Sequence, residues 1–319
     1  MIVFAQIGMI AGSLGVFTIA NCGHYDLFII KLDSAGIVKW TRQIGTEKEE
    51  IVAGIATTSD GHIYVAGTTF GSLNRSTKVG VDRDFFVIKL DANNGTKVWT
   101  RQIGTTDDEY GQGIASDSSG NIYVRGATHL SGPFVMKFDS NGTVLWTRQM
   151  VTNGINNSAG GIAVDGSGSV YVTGSTKLGL DGNTLVGGND IYVLKYDTDG
   201  NNPQVLLLGS KVNDYATGIS TDTNGNIYVT GWTLGNFDDI TTADVNGDLF
   251  VFSFSTTGTF RWKKQLGSVG SDISMSIATD LNGSIYVTGE TYGGLDGNTK
   301  IGAGSDLFIV KYNTEGVKQ

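Results

Sequence analysis

Hydrophobic and polar positions alternate along most of the chain, in short runs that are separated by Gly, Asp and Asn. Two examples are IYVAGTT at residues 63–69 and DFFVIKLD at residues 84–91. Short runs that are rich in β-branched and aromatic residues, with turn residues between them, are typical of β-strands. No window shows the spacing of an amphipathic helix. The pattern predicts an all-β fold.

These runs recur in a fixed order. A first motif, GIATTSDGHIYVAGTT, supplies two strands, and its copies begin at Gly54, Gly113, Gly161, Gly218 and Ser276, which lie 59, 48, 57 and 58 residues apart. A third strand, DLFIIKLD, begins at Asp26, with further copies from Asp84, Pro133, Asp190, Asp248 and Asp306. A fourth, VKWTRQIG, begins at Val38, with further copies from Lys97, Val144 and Phe260 and a degenerate copy at residues 205–209. Repeats of four short antiparallel strands are typical of the blades of a β-propeller.

The number of blades follows from the number of motifs. The third-strand motif occurs six times and the first-strand motif five times. We therefore predict six four-stranded blades, about 24 strands in all, with one blade built from both chain ends. Five or seven blades are the alternatives. Gly54, Gly113, Gly161 and Gly218 are expected to open the strands nearest the propeller axis.

The hairpin turns have a recurring pair of residues. Asp117, Asp165, Asp222 and Asp280 each precede a Gly by three residues. An Asp side chain caps the backbone of a tight turn, and Gly tolerates the positive φ that closes it. These pairs are expected to close the hairpins between the first and second strands.

The strings G-I-A-x-D-x-x-G-N-I-Y-V-T-G-x-T, D-x-F-V-x-K-Y-D-x-x-G and W-T-R-Q-x-G resemble the SBBP repeats, a family named for a presumed seven-bladed β-propeller. The resemblance extends over essentially the whole chain from Asp26 onward. It implies a propeller of mostly bacterial, often exported proteins whose biochemical role is generally uncharacterised. This chain departs from the family in its number of repeat units, and six blades are therefore preferred.

Composition narrows the range of partners. Gly supplies 47 of the 319 residues, and the net charge is −9. Glycine enrichment without a collagen period, together with abundant aromatic residues, fits a chain rich in turns. A negative chain lacks the clustered positive charge that binds nucleic acid and anionic membranes, so no direct contact with either is expected.

Residues 1–21 contain no charged side chain and end directly before Cys22, the only cysteine. This segment resembles a bacterial lipoprotein signal, although the basic start of a signal peptide is missing. Residues 1–21 would then be signal-like, residues 22–319 a single propeller domain, and Cys22 the lipidation site. The protein is expected to be exported as an outer-membrane or cell-surface lipoprotein, with a periplasmic or secreted protein as the alternative.

A second interpretation makes the same N-terminal segment a blade-closing strand. Gln6-Ile7-Gly8 aligns with Gln43-Ile44-Gly45 of a fourth strand. The segment would then supply an outer strand of the propeller. Against this, Val3 and Ala5 stand where Trp40 and Arg42 would be.

The sequence contains no recognisable motif of catalytic residues. No Ser/His/Asp order, no metal spacing of His and Cys and no phosphate-binding glycine loop is present. The tryptophans of the fourth-strand motif share one position in a strand and are predicted to pack, while the Arg two residues later keeps an open edge soluble. Trp232 differs, because the other copies carry Thr68, Ala127, Ser175 and Glu290 at its position. Trp232 is therefore a candidate ligand-binding residue near one mouth of the propeller.

The long loop that leads to Asp248 is rich in acidic residues. It contains Asp238 and Asp239, which are further candidates for ligand binding, and then Asp244 and Asn246. Carboxylate and amide oxygens are the ligands that Ca²⁺ takes, although the glycine spacing and terminal Glu of an EF-hand are missing. Asp244, Asn246 and Asp248 are thus a candidate Ca²⁺ site, and no other cofactor is expected.

These features favour a non-enzymatic binding or scaffold protein whose variable loops recognise a protein or a glycan. The protein is expected to be a monomer that reaches a membrane only through a lipid anchor. The alternative is a glycan hydrolase or lyase that uses acidic loop residues, which requires two carboxylates at a suitable distance from each other.

Lipidation at Cys22 is directly testable. When the gene is expressed from its native upstream region, palmitate should label the product, and the product should partition with membranes, since two or more acyl chains anchor stably. The Cys22→Ala variant should lose both properties. Unchanged labelling and partitioning in that variant would rule out the lipoprotein interpretation.

Overall fold

The computed structural model describes residues 4–10, 25–73, 83–129, 132–149, 158–180, 182–237 and 246–319. The chain divides into two compact units, residues 1–151 (unit 1) and residues 152–319 (unit 2). The regular structure of the described residues is almost entirely β-strand, with a short 3₁₀ turn at Leu295–Gly297. Within these ranges, no helix has the length and apolar character needed to cross a bilayer.

Unit 1 contains three antiparallel sheets, each formed by strands that follow one another in the sequence. Blade 1 consists of β1 (Phe4–Ile10), β2 (Asp26–Leu32) and β3 (Val38–Ile44). Blade 2 consists of β4 (Glu50–Thr57), β5 (His62–Thr69), β6 (Asp84–Asp91) and β7 (Lys97–Ile103). Blade 3 consists of β8 (Glu109–Ser116), β9 (Ile122–Thr128), β10 (Gly132–Phe138) and β11 (Val144–Gln149).

Unit 2 has the same organisation. Blade 4 consists of β12 (Ser158–Val164), β13 (Val170–Thr176), β14 (Asp190–Tyr196) and β15 (Gln204–Leu208). Blade 5 consists of β16 (Asp214–Thr221), β17 (Ile227–Thr233), β18 (Asp248–Phe254) and β19 (Phe260–Leu266). Blade 6 consists of β20 (Asp272–Thr279), β21 (Ile285–Thr291) and β22 (Asp306–Tyr312).

The structure confirms the predicted all-β propeller fold with six blades. The described residues contain 22 strands rather than about 24, because blades 1 and 6 have three strands each. Blade 1 has no copy of the first-strand motif, and blade 6 has no copy of the fourth-strand motif. Each of these sheets is built from one end of the chain, so the expectation of a single blade shared by both ends is wrong.

The N-terminal strand β1 pairs with β2 along its whole length, from Phe4 opposite Leu32 to Ile10 opposite Asp26. The second strand has this place in the other blades, as β5 does beside β6. Residues 4–10 therefore extend blade 1, but not as the fourth strand that the alignment of their sequence predicts. Cys22 lies outside the described residues, and its lipidation stays a prediction.

Asp117 shows how the repeated Asp and Gly close a hairpin. Its Oδ1 accepts the backbone N–H groups of Ser119 and Asn121, both at 2.9 Å. Gly120 has a φ of +81° and donates its N–H to the Asp117 carbonyl at 3.2 Å. Tyr123 on the second strand donates its hydroxyl to the other carboxylate oxygen at 3.0 Å. The predicted turn chemistry is confirmed, and the turn also fixes a tyrosine.

The first strands begin earlier than the sequence predicts. Gly54 lies in the middle of β4, directly after a register shift between Val52 and Gly54, and not at the start of the strand. A Cβ added to Gly54 would lie 3.1 Å from Cγ2 of Ile114, on the first strand of blade 3. The equivalent Gly218 stands in the same relation to Ile277, at 3.2 Å. Glycine is therefore needed because adjacent first strands approach closely.

Neighbouring blades pack face to face through their second and third strands. One buried cluster joins Tyr64 and Phe85 of blade 2 to Ile114, Ile122 and Phe134 of blade 3. Corresponding clusters join blades 4 and 5 and blades 5 and 6. Because both faces of an inner blade are covered, its third strand carries a continuous run of apolar residues.

A polar contact between adjacent blades accompanies this packing. Trp40 of β3 and Lys31 of β2 both donate to the carbonyl oxygen of Ala92, which lies in the turn between β6 and β7 of the next blade. The distances are 3.0 Å from the indole Nε1 and 2.6 Å from Nζ. Trp99 and Lys89 make the same pair of contacts with the Ser140 carbonyl, at 3.2 and 3.0 Å. We call this arrangement the turn clamp.

In unit 1, the Arg two residues after Trp40 and the one two residues after Trp99 complete the turn clamp. Arg42 lies over the Trp40 ring, at 5.7 Å from its centre, and donates Nε to the Gly95 carbonyl at 3.0 Å. Arg101 does the same with Trp99 and Gly142. These side chains bind the next blade rather than keeping an exposed edge soluble. The sequence predicts the packing of the tryptophans but not this role of the arginines.

Trp99→Ala should lower the free energy of unfolding by about 3 kcal/mol, the low end of the range for Trp→Ala in a core, because the ring is partly exposed. Val98→Ala is the matched control, since Val98 is the adjacent residue and is 50% exposed. It should cost less than about 0.5 kcal/mol. Urea unfolding of both variants measures the difference. Similar losses would contradict the turn clamp.

Candidate functional site

The loops between second and third strands lie at one end of each blade, together with a set of repeated acidic residues. We call this the loop end. In blades 1, 2 and 5, the first residue of the third strand is an Asp whose carboxylate accepts the side-chain amide of a Gln on the fourth strand. Gln43 donates to Asp26 at 2.6 Å, Gln102 to Asp84 at 2.7 Å and Gln265 to Asp248 at 2.9 Å. These carboxylates hold the outer strands of their own blades.

A second set of acidic residues opens the first strands. Glu50 is fully buried, and its carboxylate accepts the Thr46 N–H at 2.9 Å, the Thr46 hydroxyl at 2.8 Å and the Thr69 hydroxyl at 2.7 Å. Glu109 and Asp214 have the same type of partners in blades 3 and 5. Burial raises the pKa of Glu50, Glu109 and Asp214, although the hydroxyl and amide donors oppose it.

A carboxyl group with a raised pKa is often a sign of a catalytic site. Here the residues recur in blades 2, 3 and 5, in the same strand position and with the same type of Thr or Ser donors. We therefore assign them a structural role, which is to bind the backbone where the chain passes from one blade to the next. These residues are not among the site residues predicted from the sequence. A Thr or Ser four residues before each acid, as in Thr46 and Glu50, is the signal that finds them.

Trp232 lies at the loop end of blade 5, where its ring stacks on Tyr215. The ring centres are 4.3 Å apart and the planes are inclined by 21°. Tyr215 and Trp232 are directly opposite each other on β16 and β17, and both are partly buried. Leu234 and Gly247 lie beside the indole, since a Cβ on Gly247 would be 3.4 Å from the ring. Trp232 is thus supported on one face rather than fully exposed.

Two asparagines fix the tyrosine of this pair. Asn189 donates its side-chain amide to the Tyr215 hydroxyl at 2.8 Å and to Oδ1 of Asn213 at 3.1 Å. Its backbone N–H also donates to Oδ1 of Asn213, at 2.9 Å. Asn189 belongs to blade 4, so the contact joins two blades. We call Trp232, Tyr215, Asn189 and Asn213 the Trp232 patch.

Unit 1 has a different set of residues at the corresponding position. Arg83 precedes the third-strand Asp of blade 2, as Asn189 does in blade 4, and its guanidinium lies 4.8 Å from the ring centre of Tyr110 and 4.9 Å from that of Phe70. Its Nη1 donates to the Tyr110 hydroxyl. The residue before the third-strand Asp is thus an arginine in blade 2 and an asparagine in blade 4, while the backbone around it is repeated.

The structure does not bring the acidic residues of the predicted sites together within its described part. Asp238, Asp239 and Asp244 lie outside the described residues. Asp248 is buried and bonded to Gln265, while the side-chain amide of Asn246 donates to the Val269 carbonyl at 3.4 Å. In the described part of the chain, no group of three or more His, Cys, Asp or Glu side chains is placed to hold a metal ion. The Ca²⁺ site stays a prediction.

Comparison with known proteins agrees with the repeats. The sequence profile of the SBBP family, a β-propeller repeat, matches residues 98–129, 145–178, 205–238 and 261–296. Each match begins at the fourth strand of one blade and extends through the first two strands of the next.

Two curated relatives match part of the chain. An uncharacterised WD repeat-containing protein of Acanthamoeba polyphaga mimivirus is 28% identical over 42% of this chain. The regulatory protein FlaEY of Caulobacter vibrioides is 26% identical over 44%. The matches cover 12% and 16% of those proteins, so the chain spans less than a fifth of either relative.

Among solved structures, a protein of unknown function from Bacteroides caccae has a TM-score of 0.54 with this chain. The match covers 91% of this chain and 87% of that one, with 13% identity. Similarity at this level of identity shows the fold alone.

The buried carboxylates of the first strands lead to a prediction about pH. Because burial raises the folded-state pKa of Glu50 above 4.5, the unfolded chain loses this proton first as the pH rises. The stability of the wild type relative to Glu50→Gln should therefore fall as the pH rises above about 4.5 and level off above the folded-state pKa. Urea unfolding of both proteins between pH 4 and pH 7, in steps of about one unit, measures this difference.

Asp280→Asn is the control, and its difference from the wild type should stay flat between pH 4 and pH 7. Hydrogen bonds from the Ser284 N–H and other donors lower the pKa of Asp280 below 3.8. Its contribution should be present above that value and lost as the pH falls further. A flat difference between wild type and Glu50→Gln would mean that Glu50 is not desolvated.

Proposed function

Because the chain is a β-propeller repeat protein of the SBBP type, we propose that it is a non-enzymatic binding or scaffold module. The Trp232 patch at its loop end is the proposed contact site for a protein or a glycan. The observation that carries this proposal is the Tyr215–Trp232 stack, a partly exposed aromatic pair in which Trp232 stands at a position where other blades have Thr, Ala, Ser or Glu. Trp and Tyr are enriched among the residues that dominate binding energies.

The rigidity of the patch supports this role. Tyr215 is held by the Asn189 amide at 2.8 Å, and the Asp214 N–H beside it donates to the Asn189 carbonyl at 2.8 Å. A rigid aromatic surface loses little side-chain entropy when a ligand binds. Its amide groups add hydrogen-bonding capacity beside the rings. Variable residues on a repeated scaffold are the usual arrangement of a recognition surface.

A glycan hydrolase or lyase is the alternative function. It requires a pair of carboxylates that act on one bond, as acid and base or nucleophile. The carboxylates of Asp26, Asp84 and Asp248 each accept a Gln amide of their own blade, and Glu50 accepts three donors. This engagement in repeated structural contacts favours binding over catalysis.

Export and a monomeric state belong to the same proposal. Export rests on the uncharged residues 1–21 and Cys22, which would place the module on the outer membrane or cell surface.

Trp232→Ala should reduce ligand binding at least tenfold, the loss expected for an aromatic anchor worth about 1.4 kcal/mol or more. Glycan arrays and pull-down experiments with the full chain identify the ligand, and titration of the variant measures the loss. Phe260→Ala is the control, because Phe260 is also a partly exposed aromatic residue of blade 5 but lies at the start of β19.

Thermal melts of both variants establish that they are folded. Trp232→Ala should be less destabilising than Trp99→Ala, because its ring is not part of the turn clamp. Equal binding by Trp232→Ala and the wild type would reject the Trp232 patch as the contact site.

A further inference from the structure

The turn clamp places an indole ring in the same way in each unit. Besides Trp40 and Trp99 in unit 1, Trp262 of blade 5 donates Nε1 to the Thr314 carbonyl of blade 6, at 2.8 Å. The ring then lies against the glycine that closes that turn. A Cβ added to Gly316 would be 2.7 Å from the Trp262 ring, and one added to Gly95 would be 2.9 Å from Trp40.

Blade 4 lacks this tryptophan. In strand pairing, Lys31 is opposite Trp40, Lys89 is opposite Trp99 and Ser253 is opposite Trp262. At the same position of blade 4, Lys195 is opposite Gln204. Leu206 takes the place of the clamp arginine, since it is opposite Val193 as Arg101 is opposite Val87. Blade 4 thus keeps the lysine of the turn clamp and lacks the indole and the guanidinium.

A cavity of about 100 Å³ is found where the indole would lie. Its apolar wall includes Val193, Leu206 and Phe254, and Gly258 of the next turn lies at its edge. A Cβ added to Gly258 would meet nothing within 4 Å, in contrast to the equivalent Gly316. The glycine side of the site is therefore open.

The lysine–carbonyl hydrogen bond of the turn clamp is also present at this site. Lys195 donates Nζ to the Thr256 carbonyl at 2.9 Å, as Lys31 does to the Ala92 carbonyl. The Ala92 oxygen accepts an indole N–H in addition to that lysine. A carbonyl oxygen has two lone pairs, so the Thr256 carbonyl has the capacity for a second donor at the same place.

We propose that this cavity binds an indole ring. Its N–H would donate to the Thr256 carbonyl, and its faces would pack against Gly258 and the apolar wall of Val193, Leu206 and Phe254. An apolar cavity of about 150 Å³ is sufficient to bind benzene. Indole is larger, but this cavity opens to solvent, and the outer edge of the ring can stay exposed as it does for Trp262.

The ligand is thus either free indole or the side chain of a tryptophan in a peptide, and both have the same chemistry. The site shares no residue with the Trp232 patch. Failure of either proposal consequently leaves the other intact.

Titration of the ¹⁵N-labelled full chain with indole tests the proposal. Saturable shifts are expected at the amides of Thr257 and Gly258 and in the residues of β15. Benzothiophene has a similar shape but no N–H, and it should bind several-fold more weakly because one hydrogen bond is lost. N-acetyltryptophanamide distinguishes the two sources: binding of it supports a peptide-borne tryptophan, and binding of indole alone supports the free ring.

Two variants close the site from opposite sides. Gln204→Trp restores the residue that the other blades carry, and it should raise the melting temperature and weaken indole binding at least tenfold. Leu206→Phe fills the cavity from its apolar wall and should weaken binding similarly, even if Gln204→Trp does not fold. Trp262→Gln is the reciprocal variant, because it vacates the matched position in blade 5 and should create a second indole site.

Three results would overturn the proposal. They are the absence of saturable shifts with indole, equal binding of indole and benzothiophene, and undiminished binding by folded Gln204→Trp and Leu206→Phe variants.

Discussion

Within unit 1, the turn clamp is the contact on which the arrangement of the blades depends. Apolar faces hold neighbouring sheets together but specify their relative position only loosely, because apolar contacts are not directional. Two donors that converge on one carbonyl, as Lys31 and Trp40 do on Ala92, fix the height and rotation of the next blade. A charged donor makes such a bond worth roughly 1.5–3 kcal/mol, and the lysine must form it because its burial is otherwise costly.

The opposite end of each blade is stabilised by carboxylates instead. Asp26 holds its own fourth strand through Gln43, and Glu50 binds the residues that connect two blades. These bonds are made by residues that repeat from blade to blade, and the loops between second and third strands add buried apolar side chains such as Leu73, Phe237 and Leu295. Residues beside these repeated contacts can differ between blades without loss of the fold. This freedom allows Asn189 and Tyr215 in one unit and Arg83 and Tyr110 in the other.

The sequence was sufficient to predict the strands and the blades, because every copy of a motif repeats the same alternation and the same turn chemistry at Asp117 and its equivalents. It was insufficient where the cause lies in a neighbouring strand. Gly54 was expected to open a strand, yet it lies within one, and it is glycine because Ile114 of the next blade approaches it. The partner of Arg42 is likewise a carbonyl 53 residues away, which no local pattern reveals. Trp232 was identified as a site residue, but its stack on Tyr215 depends on strand pairing and could not be read from spacing.

Both proposed sites occur where one blade departs from the repeat, and the reason is physical. A repeated residue is already committed to its neighbour, as the Trp99 indole is to the Ser140 carbonyl, and has little capacity left for a ligand. A residue that differs from the repeat can create a capacity for ligand binding in one of two ways. Trp232 adds a ring at a position where the scaffold needs none, which creates a new surface. Gln204 removes a ring from a position that the scaffold is shaped to receive, which leaves a cavity with an acceptor at one side. In a repeat protein, the comparison of each copy with its neighbours therefore separates the residues that build the fold from those that are free to bind.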